Sequence, residues 1–310
     1  MHTSGLCLVA PVLLGLCMAA QAVGEDLVGS VGKAGQNQAN DVLTIQLLLN
    51  QLPAAEGDSQ PASEDQAGGT VLLDPDGVMG PATLAAIRSF QAAQLSEAEV
   101  TGLVEPDSPT LQRLNALVAS QPLRDRIVRV SLGERRFWRN GQRTERDPRV
   151  SARLQLYWQC ARQSYELKEF QDSEFQSGHP WSAVYISWVM LRAGAGEHFA
   201  YNDSHWEYVA AAKRNRIEGN ASPFKAYRPH EGEFKLGDVV VKRRSTSTAT
   251  YDNIELGHPT HGDIVVAISA TELVTIGGNV SDSVTTTRVP LDSNGKIADA
   301  KYFAVVKVEE

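Results

Sequence analysis

Cysteine is scarce in this sequence, and its scarcity excludes one way of holding a fold together. Only three of the 310 residues are cysteines, and two of them, Cys7 and Cys17, lie in an apolar segment at the amino terminus. If that segment is removed, Cys160 has no partner in the chain. A disulfide framework is therefore excluded for the mature protein, and its stability has to come from packed cores.

Long apolar runs are also lacking. Residues 5–20, GLCLVAPVLLGLCMAA, form a run that is shorter than the roughly 18 to 20 residues that a membrane helix needs. The small residues around Ala20 and Ala22 suit cleavage. We interpret residues 1–22 as a signal peptide and expect a periplasmic or secreted protein. No later run is long enough to predict a membrane span in the mature chain.

Positive charge is rare in the first part of the mature chain. Residues 23–118 hold 13 acidic and 3 basic residues, a balance of −10, whereas residues 119–310 hold 24 acidic and 26 basic residues, a balance of +2. An acidic front half argues against binding nucleic acid. No glycine-rich phosphate loop is present, and we expect no cofactor. The sequence does not indicate an oligomeric state, but its uneven charge suggests two units.

The first unit, residues 27–118, has the periodicity of three short helices. An insertion rich in Pro, Gly, Ser and acidic residues, 53–69, separates the first two helices and is expected to be a mobile surface segment. The apolar side chains that share one face in each helix are Val42, Ile45, Leu48 and Leu49, then Leu84, Ile87 and Phe90, then Leu111, Leu114 and Leu117.

The sequence of this unit resembles the peptidoglycan-binding module of bacterial cell-wall enzymes. The resemblance is carried by SVGKAGQNQANDVLTIQLLLN, by DGVMGPATLAAIRSFQ and by GLVEPDSPTLQRLN. The second stretch, Asp76–Gln91, is the most specific, and its residues fit structural roles: Gly77 and Gly80 in a turn, Pro81 at a helix start, Phe90 in a core. The resemblance implies that peptidoglycan is the partner, without indicating which residues contact it.

The second unit, residues 122–310, changes from helical periodicity to short strands. The third of three helical segments is HPWSAVYISWVMLRAG. After the polar stretch YNDSHWEYVAAA come five segments with the pattern of short strands: LGDVVVKRR, HGDIVVAIS, ELVTIGGN, VTTTRVPL and YFAVVKVEE. Helices followed by an antiparallel meander predict an α+β domain. The fold expected for the whole chain is thus a small three-helix domain followed by an α+β domain.

The second unit resembles a bacterial family known as DUF2272 and, more distantly, the papain-like CHAP and NlpC-type cell-wall hydrolases. The matching segments are HPWSAVYISWVMLRAGAG, YNDSHWEYV, KLGDVVV, THGDIVVAI and IGGNVSDSV. In the papain-like set a cysteine opens the central helix, a histidine opens a following strand and a polar residue orients the histidine. The resemblance assigns these places to Ser182, His261 and Asn279, with serine in the place of cysteine.

Each of the three candidates also has an ordinary structural interpretation. Ser182 is either a nucleophile at a helix start or the helix N-cap. His261 is either a general base or a surface histidine in a turn, with His258 as a competing base, and Asn279 fits a turn after its glycine pair as well as it fits orienting His261.

Other candidates in this unit favour a structural interpretation. His179 and His205 are either substrate contacts or helix-end residues, and the second is favoured. Trp181, Trp188 and Trp206 either line a sugar-binding groove or lie in the core, and the second is again favoured. Cys160 is expected to be a buried small residue. The motif His258-x-x-His261-x-Asp263 contains zinc-type ligands, but its spacing and Pro259 disfavour a metal site.

These observations lead to one main functional expectation. The protein is expected to be an exported cell-wall protein that binds peptidoglycan and hydrolyses an amide bond in it through Ser182 and His261. The alternative is a peptidoglycan-binding protein whose hydrolase domain has lost its chemistry. An esterase or other serine hydrolase acting elsewhere in the envelope is a third possibility.

Overall fold

Eight α-helices, eight strands and six short 3₁₀ helices make up the regular structure in the computed structural model, which describes residues 25–53 and 72–310. The predicted signal peptide and nearly all of the predicted mobile insertion lie outside these residues. The helices are α1 Ala39–Gln51, α2 Pro81–Gln94, α3 Pro109–Ala119, α4 Leu123–Phe137, α5 Ser151–Cys160, α6 Ser173–Gly178, α7 Ser182–Arg192 and α8 His205–Glu218. The strands are β1 Val31–Gly32, β2 Leu103–Val104, β3 Phe224–Tyr227, β4 Val239–Arg243, β5 Thr260–Ile268, β6 Glu272–Val280, β7 Ser283–Pro290 and β8 Tyr302–Val308.

The predicted α+β class is confirmed. Strands β3 to β8 form a six-stranded sheet in the order β3-β8-β4-β5-β6-β7, and every neighbouring pair is antiparallel. In the described part of the chain, none of the helices is both long and apolar enough to cross a membrane.

The DGVMGP motif forms the turn before α2, and the geometry of this turn explains the residue types in the motif. Gly77 has a φ of 73°, where glycine is favoured, and a Cβ there would lie 2.8 Å from the carbonyl oxygen of Ala39. The buried side chain of Gln46 accepts the Gly77 N–H at 2.8 Å and donates to the Asp76 carboxylate at 3.0 Å. Pro81 then opens α2, where its missing N–H costs nothing. The motif therefore fixes the docking of α1 against α2.

Helix α1 contributes to two hydrophobic cores. Val42, Ile45 and Leu48 pack with α2 and α3, whereas Leu43 and Leu47 belong to the core of the second unit. The helix is therefore buried on nearly all sides, as expected for an element enclosed by its neighbours. The two units suggested by the uneven charge are packed against each other rather than held apart by a linker.

Polar contacts also join the two units. Arg192 at the end of α7 donates to Glu25 at 3.1 Å and to Thr44 of α1 at 3.0 Å. Arg153 of α5 donates to the carbonyl oxygen of Pro75 in the segment that leads into α2. These contacts connect the first unit directly to α5 and α7, the helices at the centre of the second unit.

Helix α7 is the central helix of the second unit. It packs against β5 and β6 on one side and against α4 and α5 on the other, and its residues from Ser182 to Met190 are all buried. Each large apolar side chain buried in this way contributes about 1.5 to 3 kcal/mol relative to exposure. Because both of its flanks are packed, the start of α7 is held in a fixed position over the sheet.

Candidate active site

Ser182 is the first residue inside α7, not its N-cap. Trp181 occupies the cap position without a side-chain cap bond, and its carbonyl accepts the first helical hydrogen bond, from Tyr185 N–H, at 3.1 Å. The N–H groups of the first helical turn have no partner inside the helix and carry the positive end of its dipole. The Ser182 hydroxyl, which is 2% exposed, therefore lies beside a ready-made site for negative charge.

The hydrogen-bond partner of Ser182 is His205. His205 Nε2 lies 2.7 Å from Ser182 Oγ, and both side chains are buried. His205 opens α8, and a hydrogen-bond pair ties the loop before α8 to α7: Ser187 Oγ donates to the carbonyl oxygen of Asn202 at 3.0 Å and accepts its N–H at 3.1 Å. The helix starts that carry Ser182 and His205 are thus fixed relative to each other.

The other ring nitrogen of His205 contacts Tyr208, one turn further along α8. His205 Nδ1 lies 2.7 Å from the Tyr208 hydroxyl oxygen. Burial raises the pKa of Tyr208 well above its usual value, so the hydroxyl stays protonated and can either donate or accept. When Nδ1–H donates to Tyr208, His205 Nε2 carries a lone pair that accepts the Ser182 hydroxyl proton. This tautomer is the one in which His205 is a base for Ser182.

The His205 ring is neutral around pH 7. Burial lowers its pKa well below the usual value, and the nearby charges of His261 and Arg244 lower it further. A neutral ring can accept a proton, whereas an imidazolium already carries both of its protons. The electrostatics of the site therefore suit a general base.

A glycine makes room for this pair. A Cβ on Gly262 would lie 2.3 Å from the Tyr208 hydroxyl and 3.1 Å from His205 Nδ1, which is closer than side chains tolerate. Strand β5 therefore passes under the His205–Tyr208 hydrogen bond only because residue 262 has no side chain. This is the structural reason for the glycine in the HGD sequence.

His261 and Asp263 form a second buried pair next to the first. His261 Nε2 donates to Asp263 Oδ1 at 2.8 Å, and the ring centroids of His261 and His205 are 5.5 Å apart with their planes at 65°. Burial alone would raise the pKa of Asp263, but the charge and hydrogen bond of His261 and the charge of Lys242 outweigh it and leave the pKa below its usual value. His261 is thus already hydrogen-bonded to a carboxylate.

Asn279 lies at a break in the ladder between β6 and β7. The register shifts between Gly277 and Val280, and Asn279 has a φ of 55°. The hydrogen-bond partner of His261 in the structure is Asp263, whereas the sequence prediction named Asn279.

The glycines before Asn279 have a packing role: a Cβ on Gly277 would lie 1.8 Å from Asp263 Oδ1, and one on Gly278 would lie 2.4 Å from the Cβ of Tyr185.

Arg244, which was not among the predicted site residues, reaches the same site. Arg244 is exposed and follows β4. Its Nη2 lies 3.4 Å from Ser182 Oγ, a long hydrogen bond, and its Nε donates to the carbonyl oxygen of Thr260 at 3.3 Å. Arg244 therefore brings a positive charge to the solvent side of Ser182.

The remaining candidates lie in structural positions. The His179 ring stacks on Phe175 with centroids 3.9 Å apart, Trp181 stacks on Trp138 at 4.9 Å, and burial raises the pKa of the Cys160 thiol to about 12, so it is not a ready nucleophile. His258 Nε2 is buried and has no hydrogen-bond partner among the described residues. Within residues 25–53 and 72–310, no three His, Cys, Asp or Glu side chains are grouped for a metal ion.

The structure thus brings Ser182 and His261 into one region, but the hydrogen bond of Ser182 is to His205. His205 lies at a helix end, as predicted, and its contact with Ser182 was not predicted. A signal for His205 is present in the sequence HWEY, since His205 and Tyr208 are three residues apart and so share one face of a helix. Nothing in that spacing indicates that the start of α8 meets the start of α7. The contact depends on the packing of the helices.

Comparisons with known proteins identify the family of the second unit. The model of a family described as "Uncharacterized protein conserved in bacteria (DUF2272)" matches residues 137–307, which is more than half of the chain and lies within the predicted second unit. No curated protein and no solved structure matches the chain. The family part of the resemblance is confirmed.

Proposed function

The chain belongs to the DUF2272 family, and we propose that it hydrolyses an amide bond in peptidoglycan with Ser182 as nucleophile and His205 as general base. The observation that carries this proposal is the 2.7 Å contact between Ser182 Oγ and His205 Nε2 at the start of α7. A serine hydroxyl is a weak nucleophile unless a base accepts its proton, and this distance is within hydrogen-bond reach.

The proposed reaction has two steps. In the first, Ser182 Oγ attacks the amide carbonyl carbon while its proton passes to His205 Nε2. The negative charge on the carbonyl oxygen is stabilised by the N–H groups of the first turn of α7. His205 then donates that proton to the leaving nitrogen, the C–N bond breaks and an ester to Ser182 remains. In the second step water loses a proton to His205 Nε2 and attacks the ester carbonyl carbon. The bond from that carbon to Ser182 Oγ breaks, His205 returns the proton to Ser182 Oγ, and the acid product is released.

Tyr208 and the His261–Asp263 pair have supporting roles in this proposal. Accepting Nδ1–H, the Tyr208 hydroxyl holds His205 in the tautomer that leaves Nε2 free to act as a base. His261 lies edge-on to His205 and, fixed by Asp263, keeps that ring from rotating. The prediction that His261 itself is the base is the competing assignment within the same reaction.

The peptidoglycan part of the proposal rests on the resemblance of residues 27–118 to peptidoglycan-binding modules. The packing of α1 into the core of the second unit supports it, because a substrate held by the first unit then keeps a fixed position relative to Ser182. The predicted signal peptide, residues 1–22, fits a protein that meets peptidoglycan outside the cytoplasm. We therefore propose a periplasmic or secreted location.

The test is digestion of purified peptidoglycan, with the released fragments identified by mass. Wild type is expected to release fragments, and Ser182→Ala to lose about 10³-fold or more of the rate, because the nucleophile is removed. Ser177→Ala is the matched control, since Ser177 is an exposed serine on α6 that bonds only the carbonyl of Ser173. Cleavage that survives in Ser182→Ala would overturn the assignment of the nucleophile.

A specific observation favours the second candidate function, a peptidoglycan-binding protein without catalysis. Ser182 and His205 are 2% and 4% exposed, and the partner of His205 Nδ1 is a neutral hydroxyl where serine hydrolases commonly have a carboxylate. Under this candidate, wild type and Ser182→Ala are retained equally on sedimented peptidoglycan, and no fragment is released at any pH from 5 to 9. Fragments released by wild type alone would exclude it.

A further inference from the structure

Among the described residues, the charge of Arg244 has no carboxylate counterpart. Its side chain contacts only the Thr260 carbonyl and the Ser182 hydroxyl, and among the described residues no carboxylate lies within ion-pair distance of it. Asp263, the acidic group of the site, is paired with His261 at 2.8 Å and with Lys242 at 3.8 Å. An exposed arginine beside a proposed nucleophile, without a carboxylate partner, is free to meet an anionic group of a ligand.

The backbone of Arg244 is held firmly even though its side chain is exposed. Its N–H donates to the carbonyl of Pro259 at 3.2 Å, and its carbonyl accepts the N–H of Ser247 at 2.9 Å. The first bond joins the end of β4 to the residue that precedes β5. The guanidinium therefore extends toward Ser182 from a backbone position that is held in place, and such preorganisation favours binding.

We propose that Arg244 binds a carboxylate on the residue that leaves, so that the substrates are amides whose leaving amine is an amino acid with a free α-carboxylate. This inference rests on the proposed function and names its substrate class. The planar guanidinium presents paired N–H groups that match the two oxygens of a carboxylate.

The distances agree with this arrangement. In a productive complex the reacting carbonyl carbon lies about 3 to 3.5 Å from Ser182 Oγ. In such an amide the carboxyl carbon is separated from the reacting carbon by the amide nitrogen and one Cα, so the two carbons are less than about 4 Å apart. Arg244 Nη2, 3.4 Å from the same Oγ, is within reach of that carboxylate after a small movement of its exposed side chain.

Two roles for Arg244 give different results. An arginine that stabilises the oxyanion assists every substrate equally, because every acyl substrate forms an oxyanion. An arginine that binds the carboxylate assists only substrates that carry one. The discriminating quantity is therefore the ratio between a substrate with a free terminal carboxylate and the same substrate with a terminal carboxamide.

The binding arm of the test uses the full chain with Ser182→Ala, so that chemistry is removed. Stem tetrapeptides synthesised with a terminal carboxylate or a terminal carboxamide are titrated by calorimetry. The carboxylate form is expected to bind about tenfold tighter, and this preference is expected to fall below about threefold when Arg244→Gln is added, with Arg244→Lys in between. Arg214→Gln, which removes another exposed arginine nine residues beyond His205 on α8, should keep the full preference.

The cleavage arm compares kcat/KM for the same two peptides in wild type and Arg244→Gln. Loss confined to the carboxylate peptide supports the proposal, whereas an equal loss for both peptides, or equal affinities in the binding arm, overturns it. If wild type cleaves neither peptide while the binding preference depends on Arg244, the proposed hydrolysis fails and carboxylate recognition stands. The two failures are thereby distinguished.

Discussion

Two buried polar clusters of the second unit differ in whether their hydrogen-bonding capacity is used up. Glu134 of α4 is fully buried and accepts from Arg153 at 2.5 Å, from Trp188 at 2.9 Å and from the hydroxyl of Tyr157. Its charge is matched and its oxygens are occupied, as expected for a structural cluster. The cluster also reaches the first unit, because Arg153 donates to the Pro75 carbonyl.

The Ser182–His205 pair is the opposite case. It is neutral, it contains no carboxylate, and it lies between the N–H groups of a helix start and Arg244, which has no carboxylate within ion-pair distance in the part of the chain that the structure describes. The contrast indicates that a cluster whose charges and hydrogen-bonding groups all have partners stabilises the fold. A ligand is expected instead at a cluster that still has N–H groups and a positive charge available for an anion.

Changes in the Glu134 cluster should destabilise the protein more than changes to the neutral Ser182–His205 pair. Glu134→Gln leaves the buried guanidinium of Arg153 without its counter-charge, and breaking a buried pair in this way costs about 3 to 5 kcal/mol. Urea unfolding measures the loss. Glu166→Gln is the control, because Glu166 is 71% exposed in its pair with Lys168 and should change stability by less than about 1 kcal/mol. A loss below about 1 kcal/mol for Glu134→Gln would contradict the distinction.

Substitutions of His205 and His261 should lower the catalytic rate by different amounts. His205→Gln removes the group bonded to Ser182 and is expected to lower kcat on peptidoglycan by about 10²- to 10⁴-fold, the usual contribution of a general base. His261→Gln removes only a neighbour of that ring, and a loss of less than about tenfold is expected. Fragment release followed over time gives both rates. The reverse order would restore the base role to His261.

Gly262→Ala tests the space under the His205–Tyr208 hydrogen bond. The added methyl group would lie 2.3 Å from the Tyr208 hydroxyl, so the tyrosine has to move and His205 loses its tautomer partner. We expect a loss of about 10- to 100-fold in kcat. Adding Tyr208→Phe, which removes the clashing oxygen, should recover stability but not activity. Gly80→Ala is the control, since nothing lies within 4 Å of its added Cβ.

The pH dependence of kcat/KM should follow the lowered pKa of His205. The base works only when neutral, so activity is lost as the pH falls through that pKa, which lies below the ordinary value of 6.5. Activity should therefore be constant from about pH 6.5 to 8 and fall only at lower pH. Because the charge of Arg244 contributes to the lowering, Arg244→Gln should shift the acidic limb upward. An acidic limb above pH 6.5 in wild type would contradict this account.

Much of the fold could be predicted from the sequence, because local patterns determined it. The periodicity of TIQLLLN and ATLAAIRSF predicted α1 and α2, and alternating residues in ELVTIGGN predicted β6. The packing of the two units against each other could not be predicted. It depends on Leu43 and Leu47, on the face of α1 opposite to the one that packs with α2 and α3.

The place of Ser182 at the start of α7 was predictable because a serine before an apolar helical run is a local feature, whereas its candidate role came from the resemblance to papain-like hydrolases. The partners of Ser182 and His261 were not, since each depends on how close separate elements come. The His205–Ser182 contact needs α8 to approach α7, and the His261–Asp263 bond needs both side chains on the same side of β5. The His261–Asp263 hydrogen bond did have a signal in the sequence: the two residues are two apart, and alternate residues of a strand share a face.

The most direct test of the central claim, that Ser182 is activated by His205, is covalent labelling with a fluorophosphonate. An activated serine oxygen attacks the phosphorus and displaces fluoride, and the added mass is located by peptide mapping. The account predicts that wild type and His261→Gln are labelled at Ser182 at similar rates, and that His205→Gln is labelled at least about 10²-fold more slowly. Labelling of His205→Gln at the wild-type rate, or none at Ser182 in wild type, would contradict it.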